Sequence, residues 1–247
     1  MIKRILTATS ILLLAYSCNS TSSVRSWRED NRLPDDVYMV EEVSTVVDTS
    51  RYDYNQKSKT VYLIDDLGRL ALVAYDTYWQ EYYYTGNSLL VDSFVYSDYT
   101  KKVFKYLGNK CIEEMAVWDS GESRNDVRHI AHNYKDLPAE TFDGCWRTHI
   151  EYDDYGRIVS ERNFSEGKFC SNVVYEYNSQ GDRISERWGH QDALWLPTEY
   201  AYYEYEYDYE GDYWTTNRQY RVHENGERVL WLQTTRKIFR KSDSTPQ

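Results

Sequence analysis

The acidic pairs are the first residues in this chain with the makings of chemistry. Asp65-Asp66 and Asp153-Asp154 would supply the two carboxylates that glycoside hydrolysis divides between acid and base. Each pair, however, lies in a phrase built like a turn, Ile64-Asp65-Asp66-Leu67-Gly68-Arg69 and Tyr152-Asp153-Asp154-Tyr155-Gly156-Arg157, where Asp bonds its own backbone. Adjacent turn residues rarely face one substrate, so these carboxylates read as turn formers. His129 and His132, three positions apart, would share one face of a helix, but neither a His-Glu-x-x-His phrase nor a third ligand accompanies them. Calcium needs a cage of oxygens, and no loop has that spacing. Serine phrases such as Asp119-Ser120-Gly121-Glu122-Ser123 lack the Gly-x-Ser-x-Gly elbow, and no glycine-rich phosphate loop follows a strand. No catalysis, cofactor or metal is expected.

Aromatic side chains are the second resource. Trp79, Tyr82, Tyr83 and Tyr84 crowd one stretch, with Tyr78 beside them, and flat rings of this kind stack on sugars. Cross-strand pairing of alternating Tyr is the competing explanation and the favoured one. With 26 Tyr and 8 Trp against 4 Pro and 11 Gly, the chain has far too much to bury for a disordered segment. Beyond Cys18 there are three cysteines, Cys111, Cys145 and Cys170. In an oxidising compartment Cys145 and Cys170 are the pair to join, with plain buried thiols an equal alternative.

Charge and the N-terminus indicate where such a chain would work. The 29 basic and 40 acidic residues leave −11, a balance that repels phosphate backbones, so nucleic acid is not an expected partner. Lys3 and Arg4 precede a short apolar run, Ile5 to Ala15, in the pattern of a secretory leader; the run is too short to span a bilayer as a helix. Its end, Leu14-Ala15-Tyr16-Ser17-Cys18, resembles a bacterial lipobox. That resemblance implies cleavage before Cys18, acylation of its thiol and, with Asn19 next, passage to the outer membrane. Several acyl chains on one cysteine anchor a protein without a helix. Residues 18–36 then read as a flexible tether after a leader over 1–17, and 241–247 as a disordered tail.

The elements between are hairpins. The turn phrase returns as Tyr177-Asn178-Ser179-Gln180-Gly181-Asp182 and Tyr207-Asp208-Tyr209-Glu210-Gly211-Asp212, so Gly156, Gly181 and Gly211 are expected to be equivalent bends, with Gly68 a weaker copy. Asn225-Gly226 between alternating segments is a strong hairpin signal of its own. Between Thr198 and Tyr207, Ala201, Tyr203, Tyr205 and Tyr207 take one face while Tyr202, Glu204 and Glu206 take the other. Val127, Ile130, Ala131 and Tyr134 fall at helical spacing, which predicts one short helix over 125–134.

The Tyr-Asp-x-x-Gly-Arg phrase, the Ile-Val-Ser-Glu-Arg run after it and the returning strand ending Tyr-Glu-Tyr resemble the YD-repeat (Rhs-type) family, especially small bacterial lipoproteins with a few repeats. Large members of that family coil many repeats into a shell around a toxin. This chain has few copies and no Asp-Pro-x-Gly release phrase, so toxin delivery is not expected. The sequence therefore predicts a mainly β body over 37–240, an elongated or partly curled antiparallel meander of repeated hairpins. Its expected role is structural or interactive, held to the membrane through lipid on Cys18, with an envelope protein or a glycan as partner.

Overall fold

The computed structural model describes residues 25–48, 57–98, 100–117, 126–133, 135–190 and 200–244. The leader and Cys18 lie outside them. Half of the wall is β1 (Val37–Val46), β2 (Lys57–Ile64), β3 (Leu70–Tyr75), β4 (Trp79–Tyr83), β5 (Ser93–Tyr96), β6 (Lys101–Leu107), β7 (Lys110–Val117) and β8 (Asp126–His132). The other half is β9 (Pro138–Asp143), β10 (Trp146–Tyr152), β11 (Ile158–Ser165), β12 (Lys168–Tyr177), β13 (Arg183–His190), β14 (Tyr200–Glu210), β15 (Tyr213–His223) and β16 (Arg228–Arg240). Each strand pairs antiparallel with its neighbours in sequence, and β1 pairs with β16, so the sheet is a closed barrel of 16 strands.

Closure corrects the expected open or partly curled meander. β1 and β16 run 10 and 13 residues, and two edges of that length would leave long rows of amides and carbonyls unpaired. Pairing Val40 with Ile238, Glu42 with Arg236 and Ser44 with Thr234 removes both edges at once. The Ser44 and Thr234 hydroxyls add a hydrogen bond of 2.8 Å across the seam.

The predicted helix over 125–134 is also corrected. Asp126–His132 is β8, held between β7 and β9, with Ile130 packed against buried Val91, Phe94 and Phe104. Pairing on both sides outweighs a helical period carried by so few apolar residues.

Because strand direction alternates, the connections gather at two ends. The rim holds the turns at 65–69, 133–137, 153–157 and 178–182, the connections at 84–92, 108–109 and 211–212, the start of β1 and the end of β16. The base holds 144–145, 166–167 and 224–227. At the rim the expected tether becomes structure from Arg25 onward. Ser26 and Glu29 form a reciprocal capping box around the single turn α1 (Trp27–Asp30). Trp27 stacks on Tyr62 with centroids 5.1 Å apart, and Leu33 joins Val37, Val40, Tyr62, Ile64, Leu70 and Val73 in a buried cluster. Past β16, Lys241–Ser244 form a 3-10 turn rather than a disordered tail.

The turn phrases sort differently from expectation. In the turns at 65–69, 153–157 and 178–182 the first N–H donates to the fifth carbonyl and the fourth N–H to the first carbonyl. The same bonds close 133–137, where Asp136 stands at φ 62 in place of glycine, and 223–227 at the base. Gly211 is not equivalent to Gly156 and Gly181: Glu210 pairs directly with Tyr213, leaving Gly211-Asp212 as a two-residue connection and Asp208 inside β14. Gly68, taken as a weak copy, is a full one.

Gly68 also carries packing. A Cβ there would lie 2.9 Å from Ser26 Oγ and 3.1 Å from the Arg28 Cβ, whereas one at Gly181 meets nothing within 4 Å, and both residues have positive φ. Gly181→Ala should cost about 1–2 kcal/mol from the left-handed backbone alone. Gly68→Ala should cost measurably more, because α1 must also shift. Denaturant titration of the two variants checks the difference, and equal losses would show that α1 does not bear on Gly68.

Candidate functional site

The rim is where the repeated residues act together. In the turn at 65–69, Asp65 Oδ1 accepts the N–H groups of Leu67 and Arg69, and Asp65 Oδ2 accepts Arg69 Nε at 2.6 Å. Arg69 then reaches the next connection, donating to the carbonyls of Gly86 and Ser88 while its guanidinium lies 4.4 Å from the Tyr84 ring centroid. The Tyr84 hydroxyl returns the tie by donating to the Leu70 carbonyl. The set recurs at 153–157: Asp153 holds its own turn and Arg157, Arg157 donates to the Asn178 carbonyl and covers Tyr177, and Tyr177 donates to the Ile158 carbonyl. Tyr106, Tyr152 and Tyr207 make the matching bonds to the carbonyls of Val91, Pro138 and Arg183. Each phrase thus folds its own turn and binds the next one along the rim.

At 178–182 the pattern breaks to a purpose. Asn178 closes the turn through the N–H groups of Gln180 and Asp182, but the fifth residue is Asp182 where the others have Arg. Its carboxylate accepts the Tyr209 hydroxyl and both Arg32 contacts, at 2.7 and 2.6 Å, and Arg32 also donates to the Gln180 carbonyl. Four residues earlier the Arg28 N–H donates to the Gly68 carbonyl and its guanidinium to the Asp65 carbonyl. Those two turns are six strands apart along the wall, so a segment outside the barrel could not reach both. The segment from Arg25 to Asp36 therefore crosses the inside of the rim as a plug.

The inner wall carries two further polar clusters. Glu42 accepts Arg236 at 2.7 Å and the Tyr62 hydroxyl at 3.2 Å, while the Arg236 guanidinium lies 3.6 Å from the Trp214 ring centroid. On the neighbouring strands β13 and β14, Glu186 accepts Arg183, Trp188 Nε1 and the Tyr205 hydroxyl. Burial pushes the Tyr205 hydroxyl well above its ordinary value, reinforced by Glu186. Burial likewise raises Glu161, against the pull of Arg183 and with the push of Glu186. Sequence reading missed Glu42, Glu186 and Arg236; the alternation of strand faces was the available signal.

The outer wall is a surface of cross-strand ion pairs. Glu41 pairs with Lys59, Lys105 with Glu113, Arg147 with Glu140, Arg162 with Glu151, Arg218 with Asp208, and Arg228 with both Glu204 and Glu206. These lie on strands all round the ring. The predicted alternation of Tyr203, Tyr205 and Tyr207 against Tyr202, Glu204 and Glu206 places the second set on this outer face.

The sequence-picked aromatics do not come together. Gln80, Tyr82 and Tyr84 face inward and Trp79 and Tyr83 outward, and the Tyr82 hydroxyl donates to Gln80. One sugar cannot stack on rings split between two faces, so that platform is removed. The Cys145–Cys170 disulfide is corrected as well: the two thiols are not joined. β11 lies between the β9–β10 connection carrying Cys145 and β12 carrying Cys170, and two strand spacings, about 9–10 Å, exceed a disulfide's reach. His129 and His132, three apart on a strand, face opposite ways; His129 stacks on Phe142 at 5.1 Å. Among the described residues no three His, Cys, Asp or Glu gather as a metal site requires. Asn225 accepts the Glu227 N–H beside Gly226 in the base turn, which is a folding role.

No family model matches the chain, and no curated protein matches it. Among solved structures, a porin-like protein from Bacteroides uniformis is similar over 82% of this chain and 98% of its own, at 10% identity and a TM-score of 0.42. The Tc holotoxin pore of Photorhabdus luminescens is similar over 73% of this chain and 10% of its own, at 12% identity and a TM-score of 0.38. The TcdB2-TccC3 complex is similar over 71% and 11%, at 12% identity and a TM-score of 0.35. The chain spans about a tenth of those toxin chains. None of these likenesses bears on what the protein does.

The turn carboxylates give a pH signature. Burial works to raise Asp153, but the Arg157 amide and guanidinium outweigh it and hold the carboxyl below 3.8. Asp153→Asn keeps the amide bonds, as Asn178 shows, but loses the charge-assisted hold on Arg157, and should cost about 1 kcal/mol at pH 7. A carboxylate depressed in the fold stabilises above its unfolded value and loses that contribution as pH falls through the folded one. The gap between wild type and variant in urea titrations should therefore be full at pH 7 and shrink below 3.8. A gap independent of pH would contradict the pairing.

Proposed function

We propose that the chain is a lipid-anchored envelope protein whose barrel stands in water and acts as a structural or protein-binding module. The observation that carries this reading is the outer wall. A barrel that crosses a bilayer presents an apolar band to lipid, and an Arg or Lys on that face costs about 2–4 kcal/mol at mid-depth. This wall presents Lys59, Lys105, Arg147, Arg162, Arg218 and Arg228 in ion pairs, and its apolar residues, among them the row Phe239, Met39, Leu63 and Leu72 across four strands, form no band round the ring. Membrane attachment then falls to the Cys18 phrase, and outer-membrane residence to Asn19 after it. A partner surface is available near the base, where Phe142, 38% exposed, stacks with His129 on the outer face. Binding without turnover is the expected behaviour.

Fractionation tests the anchor. Wild-type protein should sediment with the membrane and resist salt washing, while Cys18→Ala should appear in the soluble fraction with the same circular dichroism. A variant that stays with the membrane would overturn the reading.

A further inference from the structure

The plug fixes more than the rim's packing, because the residues before it lead to the proposed anchor. Arg25 lies at the rim, in a recess shared with Arg69, Tyr84, Leu89 and Val91. It lies only seven positions after Cys18, a reach of at most about 25 Å even when fully extended. A lipidated Cys18 therefore keeps the rim close to the bilayer. The rim's outermost side chains suit that position. Leu67, Leu107 and Tyr155 sit at the tips of three connections, exposed by 42, 69 and 84%, which is costly for isolated apolar groups facing water and favourable at a lipid interface.

The charges beside these tips are neutralised in pairs. Lys241 holds Asp66, Lys135 holds Asp154, and Lys110 holds Asp136. The protein is acidic as a whole, and at this end three carboxylates are held by lysines while Asp35 and Asp212 are also exposed. Lysines so placed can extend toward phosphate headgroups while the leucines and the tyrosine enter the interface. The base carries no such constraint, since the chain that reaches the anchor leaves from the opposite end.

We infer that the barrel docks end-on to the bilayer, its rim seated on the lipid headgroups through Leu67, Leu107 and Tyr155 and its base turned away. The inference rests on the lipid anchor proposed above, with a phospholipid surface as the ligand. It makes the base, near which Phe142 and Trp146 are exposed, the end presented to other molecules.

Depth-dependent quenching tests it. Full-length lipidated protein is placed in vesicles of phosphatidylethanolamine and phosphatidylglycerol that contain acyl-brominated lipid. One sample carries a fluorophore on Leu107→Cys with Cys145→Ser and Cys170→Ser; a second carries it on native Cys145 at the base with Cys170→Ser. Vesicle flotation of both samples with severalfold stronger quenching at position 107 than at 145 is the expected result. Flotation with equal quenching, or stronger quenching at 145, overturns the docking while leaving the anchor intact. Failure of both samples to float overturns the anchor and the docking with it. Added to the Leu107→Cys sample, Leu67→Ser and Tyr155→Ser together should lower the quenching at position 107 severalfold, and undiminished quenching would overturn the role of these side chains.

Discussion

Everything in this barrel depends on the tie between one turn and the next. A hairpin alone is marginal in water, and a wall of 16 strands needs something besides backbone pairing to keep its ends in register. The phrase Tyr-Asp-x-x-Gly-Arg supplies it with four residues in distinct roles. Asp satisfies the amides of its own bend, Gly accepts the positive φ, Arg crosses to the next connection, and the next Tyr closes over that Arg while its hydroxyl holds a carbonyl behind it. The stacked guanidinium and the carbonyl bonds are largely sheltered from water, where such contacts keep more of their strength.

One departure from that rule makes room for the plug. Where Asp182 replaces Arg, the forward tie is lost and an acceptor appears, and Arg32 from the N-terminal segment fills the gap. The opposite attachment is steric as much as polar: Gly68 has no side chain, and Ser26 and Arg28 lie where one would be. An acidic residue at one turn and a glycine at another, six strands away along the wall, together define where a single helical turn can lie.

Much of the strand content was legible in the sequence because alternation and Gly-containing turns are local signals. Strands flank the turns at Gly68, Gly156, Gly181 and Asn225-Gly226, where the pattern puts them. Closure was not legible, since nothing within β1 or β16 says that Val40 meets Ile238. Asn133 to Leu137 escaped notice because Asp136 does the work of the missing glycine, and Asp208 misled because a Tyr-Asp-x-x-Gly string also occurs within a strand that runs on to Glu210. The aromatic cluster at 79–84 divides as the favoured reading expects: consecutive rings on a strand must part to opposite faces, so density in sequence is the reverse of density in space. Asp182 and Arg32 could not be paired from sequence at all.

The seam between first and last strands bears on how such a chain comes into being. Val37 must wait for Arg240, so during synthesis the nascent sheet grows hairpin by hairpin with both margins open until nearly the whole polypeptide exists. Contacts at such separation form slowly, and the exposed margins invite pairing with other chains meanwhile. Bristling charge along Glu41, Lys59, Arg218 and Arg228 discourages that mispairing, so the ion pairs of the finished wall also guard the unfinished one.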